Sequence, residues 1–151
     1  MILPYFNYCN IVWGCSSNNR LAFLIKLQKR AVGIVCKAGY RDHSTPLFKS
    51  LKTLKLQDIN SFQIAIFMYK YYHNLLPPLF DGFFHLNTDI HSYYTRIAEA
   101  FHMPTVRTTL RKRSISFIGP SVWNNLRADL HRLPSVATFK FNYKKLIIAQ
   151  Y

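Results

Sequence analysis

The chain has 151 residues, half of them hydrophobic and 16% aromatic, with 20 lysines and arginines against six acidic residues. This composition can supply a hydrophobic core and excludes a chain that is disordered by composition, while the length suits one domain better than two. The net charge of +14 favours polyanionic partners, either nucleic acid or an anionic membrane surface. No uncharged apolar run reaches about 18 residues, so we predict no membrane span and no secretory leader.

The cysteines indicate the cellular compartment. Cys9, Cys15 and Cys36 form no CxxC pair, and an odd number without a secretory leader suits a reducing environment. We therefore predict an intracellular protein of the nucleus or cytoplasm that is not secreted.

The first long periodic segment follows an aromatic, frequently interrupted start and a turn at residues 16–19. Residues 21–38 predict an amphipathic helix, with apolar side chains and one glutamine on one arc of the helical wheel and basic side chains on the other. Gly39 is expected to end this helix, and Gly33 within it should cost about 1 kcal/mol relative to alanine. The apolar arc comprises Leu21, Leu24, Ile25, Leu27, Gln28, Ala31, Val32, Ile34, Val35, Cys36 and Ala38.

Two further helices are predicted before a double proline ends the helical pattern. Thr45 as N-cap and Pro46 at the first helical position predict a short helix. Asp58 is expected to cap a longer helix through Asn74. Its polar arc is narrow, so we predict that it is the most buried helix of the chain.

The rest of the chain shows weaker periodicity. Ile115 and Phe117 share one face of a predicted strand, and Pro120 is expected to start a helix directly after it. Trp123 is expected in the core, and Ser135 can cap a final helix.

These patterns favour a mainly α fold, namely a small helical domain with a short β-strand or hairpin near residues 94–118. We expect a single fragment over residues 1–151. Its parts are a helical region (1–78), an irregular connection with short strands (79–106), and a strand–turn–helix with a C-terminal helix (107–151).

Residues that would support catalysis are not grouped in the sequence. The six carboxylates are isolated from one another, whereas two-metal nucleotidyl transfer needs several of them close together. We interpret Cys36 as a small apolar thiol and His43 as a turn residue, not as a nucleophile pair. The cysteine spacings match no zinc site, and the five glycines form no phosphate loop. We therefore predict no catalytic residue, metal, cofactor or small-molecule substrate.

Two groups of basic residues are the candidate binding sites. The first lies on the first long helix within about 100° of arc. The second precedes the predicted strand and is flanked by aromatic residues that can stack on bases. Each group is either a solvated charged surface or a surface that follows nucleic-acid phosphates. The candidates are Lys26, Lys29, Arg30 and Lys37 in the first group, and Arg107, Arg111, Lys112 and Arg113 in the second.

Four sequence blocks carry a family resemblance. They are LPYFNYCNIVWG (3–14); LQKRAVGIVCKAGYRDHSTPLFKSLKTLKLQDI (27–59); FMYKYYHNLLPPLF (67–80) with HSYYTR (91–96); and RTTLRKRSISFIGPSVWNNL (107–126) with LPSVATFKFNYKKL (133–146). In this order, covering nearly the whole chain, they resemble the C-terminal region of reverse transcriptases from LINE-type (non-LTR) retrotransposons.

The resemblance implies a part of an RNA-directed DNA polymerase that follows the catalytic palm, with residues 1–78 as a thumb-like helical region. In that family this region holds template RNA or the RNA–DNA hybrid, so the implied partners are these nucleic acids and the missing palm domain. The family's aromatic-x-Asp-Asp motif does not occur in this sequence, so the chain is not expected to be an enzyme on its own. Trp13-Gly14, Gly119-Pro120 and Trp123-Asn124 match family motifs that we interpret as structural.

Two other functions are compatible with the basic character. One is a small helical protein-interaction module whose basic face meets an acidic partner. The other is membrane-surface binding through the first long helix, which is disfavoured because the apolar arc is needed for a core.

Overall fold

The computed structural model describes residues 3–39, 42–90 and 98–151. These residues are mainly helical, which confirms the mainly α part of the predicted fold class. The helices in these ranges are α1 (Leu3–Asn7), α2 (Asn10–Trp13), α3 (Asn18–Val35), α4 (Ser44–Ser50), α5 (Leu56–Tyr72), α6 (Asn87–Ile90), α7 (Thr109–Lys112), α8 (Ile115–Asn124), α9 (Ala128–His131) and α10 (Val136–Ala149). A single 3-10 turn, Pro78–Phe80, follows α5.

Backbone contacts divide the chain into two compact units. Unit 1 comprises the described residues of Met1–Gln63 and Ala137–Tyr151, and unit 2 comprises those of Ile64–Val136. The division falls inside α5 and directly after the first residue of α10. Unit 1 therefore combines the first part of the chain with nearly all of the C-terminal helix.

Unit 1 contains a hydrophobic core to which α1, α5, α10 and the segment before α5 contribute buried side chains. Leu24 and Ile25 of α3 are partly buried against this core, as is Tyr143 of α10. The buried members are Phe6, Leu54, Leu56, Ile59 and Ile147.

Gln28 is the polar residue on the predicted apolar arc of α3, and its hydrogen bonds explain its place there. Its side chain is buried, and its amide nitrogen donates to the Leu54 carbonyl at 2.9 Å. Its amide oxygen accepts from the Leu56 N–H at 2.8 Å. A helix start leaves N–H groups without partners inside the helix. Gln28 supplies one such partner and thereby fastens α3 to the start of α5.

The C-terminus of α3 differs from the prediction, because the helix ends well before Gly39. Lys37 adopts the left-handed conformation with a φ of 51°. Its N–H donates to the Ile34 carbonyl at 3.1 Å. The Ala38 N–H donates to the Gly33 carbonyl at 2.9 Å, which completes a Schellman motif. Glycine is the usual residue at the left-handed position, so a lysine there costs about 1 kcal/mol.

The buried face of α3 is narrower than the predicted apolar arc. Gln28 and Val32 are buried, but Ile34 and Val35 are 70% and 67% exposed, and Leu27 is also exposed. Only the side of α3 that faces the unit 1 core is covered, so the outer part of the predicted arc meets solvent.

Gly33 lies inside α3, and a Cβ added there would meet no atom within 4 Å. Gly33→Ala should therefore raise the free energy of unfolding by about 1 kcal/mol, because glycine loses more backbone entropy than alanine in a helix. Urea unfolding followed by circular dichroism measures the change. Gly119→Ala is the matched control with the opposite expected sign, since its Cβ would lie 2.7 Å from the Met68 sulphur. A Gly33→Ala protein that is no more stable than the native chain would contradict this expectation.

The starts of α4 and α5 differ from the prediction by a few residues. The N-cap of α4 is His43 instead of Thr45. Asp58 lies within the first turn of α5 instead of capping it, and its carboxylate accepts a hydrogen bond from the Tyr151 hydroxyl. Burial and this hydrogen bond raise the pKa of Tyr151 above its usual range. The phenol therefore stays protonated and holds the end of the chain against α5.

Unit 2 is built around the second part of α5. Helix α5 has more buried hydrophobic side chains than any other helix in the described ranges, as its narrow polar arc predicted. In unit 2 these side chains pack with aromatic residues from later in the chain. The ring centroids of Tyr69 and Phe101 lie 6.4 and 6.3 Å from that of Trp123, which is 1% exposed. Trp123 is therefore a core residue, as predicted.

The predicted strand at residues 114–117 is wrong, because α8 runs through it. Its four-residue alternation is too short to distinguish a strand from a helix. In a wider window, Ile115, Ile118 and Val122 recur at helical spacing, and the neighbouring face carries the buried Gly119 and Trp123. Pro120 lies inside this helix instead of starting it.

Residues 79–106 are irregular over most of the part that the structure describes. An isolated antiparallel bridge joins Leu86 to Phe101, and α6 follows the first of these residues. No named strand occurs in residues 79–90 or 98–106. The part of the predicted β element at residues 94–97 lies outside the described residues.

The motifs that we interpret as structural include Trp13-Gly14 and Trp123-Asn124. Both lie where the structure places other atoms close to the backbone. In unit 1, a Cβ on Gly14 would lie 2.6 Å from the Asn10 carbonyl oxygen. In unit 2, the Asn124 side chain accepts from the Phe101 N–H at 3.0 Å and donates to its carbonyl at 2.8 Å. These contacts support the structural interpretation of the motifs.

Candidate nucleic-acid interface

A groove of about 790 Å³ runs along α3 in unit 1, and it brings together all four basic residues of the first predicted group. Its other walls come from the segment that follows α3 and from α4. The lining residues that determine its chemistry are Lys26, Lys29, Arg30, Lys37, Asp42 and Leu47. The four residues therefore line one groove, although Lys37 lies beyond the end of α3 instead of on the predicted helix.

Two features of α3 position these cations. Lys26, Lys29 and Arg30 are spaced by three and four residues, which places them side by side on one helical face. Lys37 lies beyond the last turn, and the Schellman motif turns the chain there so that Lys37 also lines the groove. Gly33 also lines the groove; it lies seven positions after Lys26, on the same face, and carries no side chain.

The groove is strongly cationic. Its four basic side chains are exposed, and none of them pairs with a carboxylate in the described part of the chain. Asp42, the one carboxylate among the described lining residues, accepts a hydrogen bond from the Gly39 N–H at 2.6 Å. Because none of the four cations forms an ion pair within the described residues, they remain available to an external anion.

The second group lies in unit 2 around the short helix α7. Thr108 caps this helix, and its hydroxyl accepts from the Arg111 N–H at 3.3 Å. The four basic residues of the group are Arg107, Arg111, Lys112 and Arg113, and all are exposed. Among the aromatic residues near this group, Phe101 is buried, so it is not free to stack on bases, and Trp123 is buried in the core, as predicted. This group therefore offers charge for phosphates without an aromatic platform from these two rings.

Three residues that follow Lys37 in the chain also line the groove and were not predicted from the sequence. Asp42, Ser44 and Leu47 line the wall opposite the basic face. Neither charge nor periodicity marks them, because the groove arises from packing of α4 against α3. The one available signal was the short connection between the two predicted helices, which brings them close together.

Within the described ranges, no three His, Cys, Asp or Glu side chains form a group that could hold a metal ion. No helix in these ranges is both long and apolar enough to cross a bilayer. Cys9, Cys15 and Cys36 are free thiols.

Comparison with known proteins gives no match: no family model, no curated protein sequence and no solved structure is similar to this chain. The resemblance to LINE-type reverse transcriptases therefore remains an expectation that rests on the sequence blocks.

Proposed function

We propose that the chain is a non-catalytic C-terminal fragment of a retrotransposon RNA-directed DNA polymerase that binds RNA or an RNA–DNA hybrid through its phosphates. The observation that carries the binding proposal is the groove along α3, where Lys26, Lys29, Arg30 and Lys37 meet without carboxylate partners in the described chain. The polymerase ancestry rests on the ordered sequence blocks, and the net charge of +14 supports a polyanionic partner.

The mechanism of binding is neutralisation of phosphates. Lysine and arginine side chains displace counterions from the nucleic-acid backbone, and the release of those ions drives association. Contacts to phosphates fix the position of a protein but carry no direct sequence information. We therefore expect binding that is strongly salt-dependent and nearly independent of base sequence.

Fluorescence anisotropy of a labelled RNA–DNA hybrid at increasing salt tests this function. The affinity should fall linearly on a double-logarithmic plot, with a slope of roughly one unit for each phosphate contact. Replacing Arg111, Lys112 and Arg113 with alanine should flatten the slope by roughly one unit for each contact that these residues make. Binding at low salt that is no stronger than that of a neutral control protein would refute the proposal.

A second candidate function is supported by the surface beside the groove. Phe23 and Ile34 are 68% and 70% exposed, Leu27 is also exposed, and all three lie on α3 next to Arg30. An acidic amphipathic protein segment could place its apolar side chains on this stripe and its carboxylates in the groove. A salt-resistant complex with such a protein, together with an absence of nucleic-acid binding, would favour this function over the first.

A further inference from the structure

Unit 2 contains a second kind of pocket, with a volume of about 350 Å³. It is formed by the end of α5, the turn after this helix and the segment around the 3-10 turn. The lining residues that determine its chemistry are Tyr71, Tyr72, Phe80, Asp81, Phe84 and Asp89. Pockets of this size hold small organic ligands or single side chains.

The charge of this pocket is opposite to that of the protein. Two of the six acidic residues of the chain, Asp81 and Asp89, line it, and no lysine or arginine of the described chain does. The Asp89 carboxylate accepts from the Leu86 N–H at 2.9 Å, which holds it in place. The Asp81 side chain has no hydrogen-bond or ion-pair partner among the described residues. Among the described residues, the negative charge at the edge of the pocket is therefore not balanced by a lysine or arginine of its lining.

The walls of the pocket are aromatic rings held in a fixed arrangement. The Tyr71 and Phe84 rings pack edge to face with centroids 4.8 Å apart. The Tyr71 hydroxyl donates to the Phe84 carbonyl at 2.8 Å and accepts from its N–H at 3.0 Å. Because this hydroxyl is already satisfied, Tyr71 contributes its ring to the wall. The Tyr72 ring is partly exposed and also lines the pocket.

We propose that this pocket binds an alkylated ammonium cation, with its methyl groups against the aromatic rings and its charge balanced by Asp81 and Asp89. Aromatic faces attract cations through their quadrupole, and a methylated ammonium is large and weakly hydrated enough to contact several rings together. A divalent metal is a poorer match because it requires about six oxygen ligands. An anion would be repelled by the two carboxylates.

A titration of the ¹⁵N-labelled full chain with choline chloride, followed by amide chemical shifts, tests the proposal. Shifts should concentrate at pocket residues such as Gly82 and Phe84. The neutral isostere 3,3-dimethylbutan-1-ol should bind roughly tenfold more weakly, because it has the same shape without the charge. A short peptide that contains trimethyllysine is titrated in parallel. Tighter binding of the peptide would indicate a methylated side chain of a partner protein as the ligand, and tighter binding of choline would indicate a free small molecule.

Two variants and one control complete the test. Asp81→Asn should weaken choline binding about fivefold and leave the isostere unaffected, since it removes charge at an exposed position. Tyr72→Leu should weaken choline binding by a similar factor through loss of a ring face. Asp129→Asn, an exposed acid of unit 2 that pairs with Arg127 instead of lining the pocket, should change nothing. Equal binding of choline and its isostere, or unchanged choline binding by Asp81→Asn, would overturn the proposal.

Discussion

Replacing Trp123 with alanine should lower the free energy of unfolding by about 3–5 kcal/mol, which is a large part of the stability of a typical domain. Trp123 is 1% exposed, and its ring stacks on His131 with centroids 4.3 Å apart and planes 8° apart. Its ring also lies 5.3 Å from Tyr72. The truncated side chain would leave a cavity that these rings cannot fill without moving. Urea unfolding followed by circular dichroism measures the loss.

His131 provides an independent readout of the same stack. Burial lowers the pKa of His131 below its usual value, because the imidazole is partly removed from water; a hydrogen bond with the Trp123 carbonyl opposes this effect. The folded state thus favours the neutral ring, and this contribution to stability is lost as the pH falls below about 6.5. Exposure of the ring in Trp123→Ala should move its pKa back up towards the usual value. NMR titration of the histidine measures this shift.

Trp123→Phe is the matched variant. It keeps an aromatic ring and should therefore lower the free energy of unfolding clearly less than Trp123→Ala does. A loss below about 1 kcal/mol for Trp123→Ala would be typical of a surface position and would contradict the packing described for unit 2.

The helices were predictable where hydrophobic residues recur at helical spacing over many residues. Helices α3 and α5 each present a sustained helical pattern, and the structure confirms both. The segment at residues 114–117 shows why a short window fails. Its alternation fits a strand, but Gly119 and Trp123 fit the core only when the segment is helical. The choice depends on tertiary packing against Met68 and Phe84, which a local pattern does not contain.

The candidate groove was predictable in part. The spacing of Lys26, Lys29 and Arg30 on α3 is enough to place them on one face. The position of Lys37 was not predictable in detail, because glycine is the expected residue at a left-handed helix end. The opposite wall comes from α4, whose packing against α3 is a tertiary contact. The aromatic pocket of unit 2 was not predicted for a similar reason, since its lining residues beyond the end of α5 come from segments without a sustained hydrophobic period.

The largest expected effect on function comes from removing the charge of the groove. The variant that does so combines Lys26→Gln, Lys29→Gln, Arg30→Gln and Lys37→Gly. Glutamine is a good helix former, and glycine suits the left-handed position, so the fold should keep its stability. If each side chain meets one phosphate, the salt slope should fall by roughly four units, and affinity for an RNA–DNA hybrid near 0.1 M salt should fall by roughly 100-fold or more. Anisotropy titrations at several salt concentrations measure both quantities.

A control variant that loses the same number of positive charges outside the groove distinguishes the effect of the groove from the effect of the net charge. It combines Lys140→Gln, Lys144→Gln and Lys145→Gln on α10 with Lys52→Gly. Lys52 also adopts the left-handed conformation, with a φ of 48°, so this glycine matches the one at Lys37. All four lysines are exposed and lie outside the groove. We expect the control to weaken binding only slightly, because long-range attraction is screened beyond about 10 Å at this salt. Equal losses in both variants would show that binding depends on net charge and not on the groove along α3.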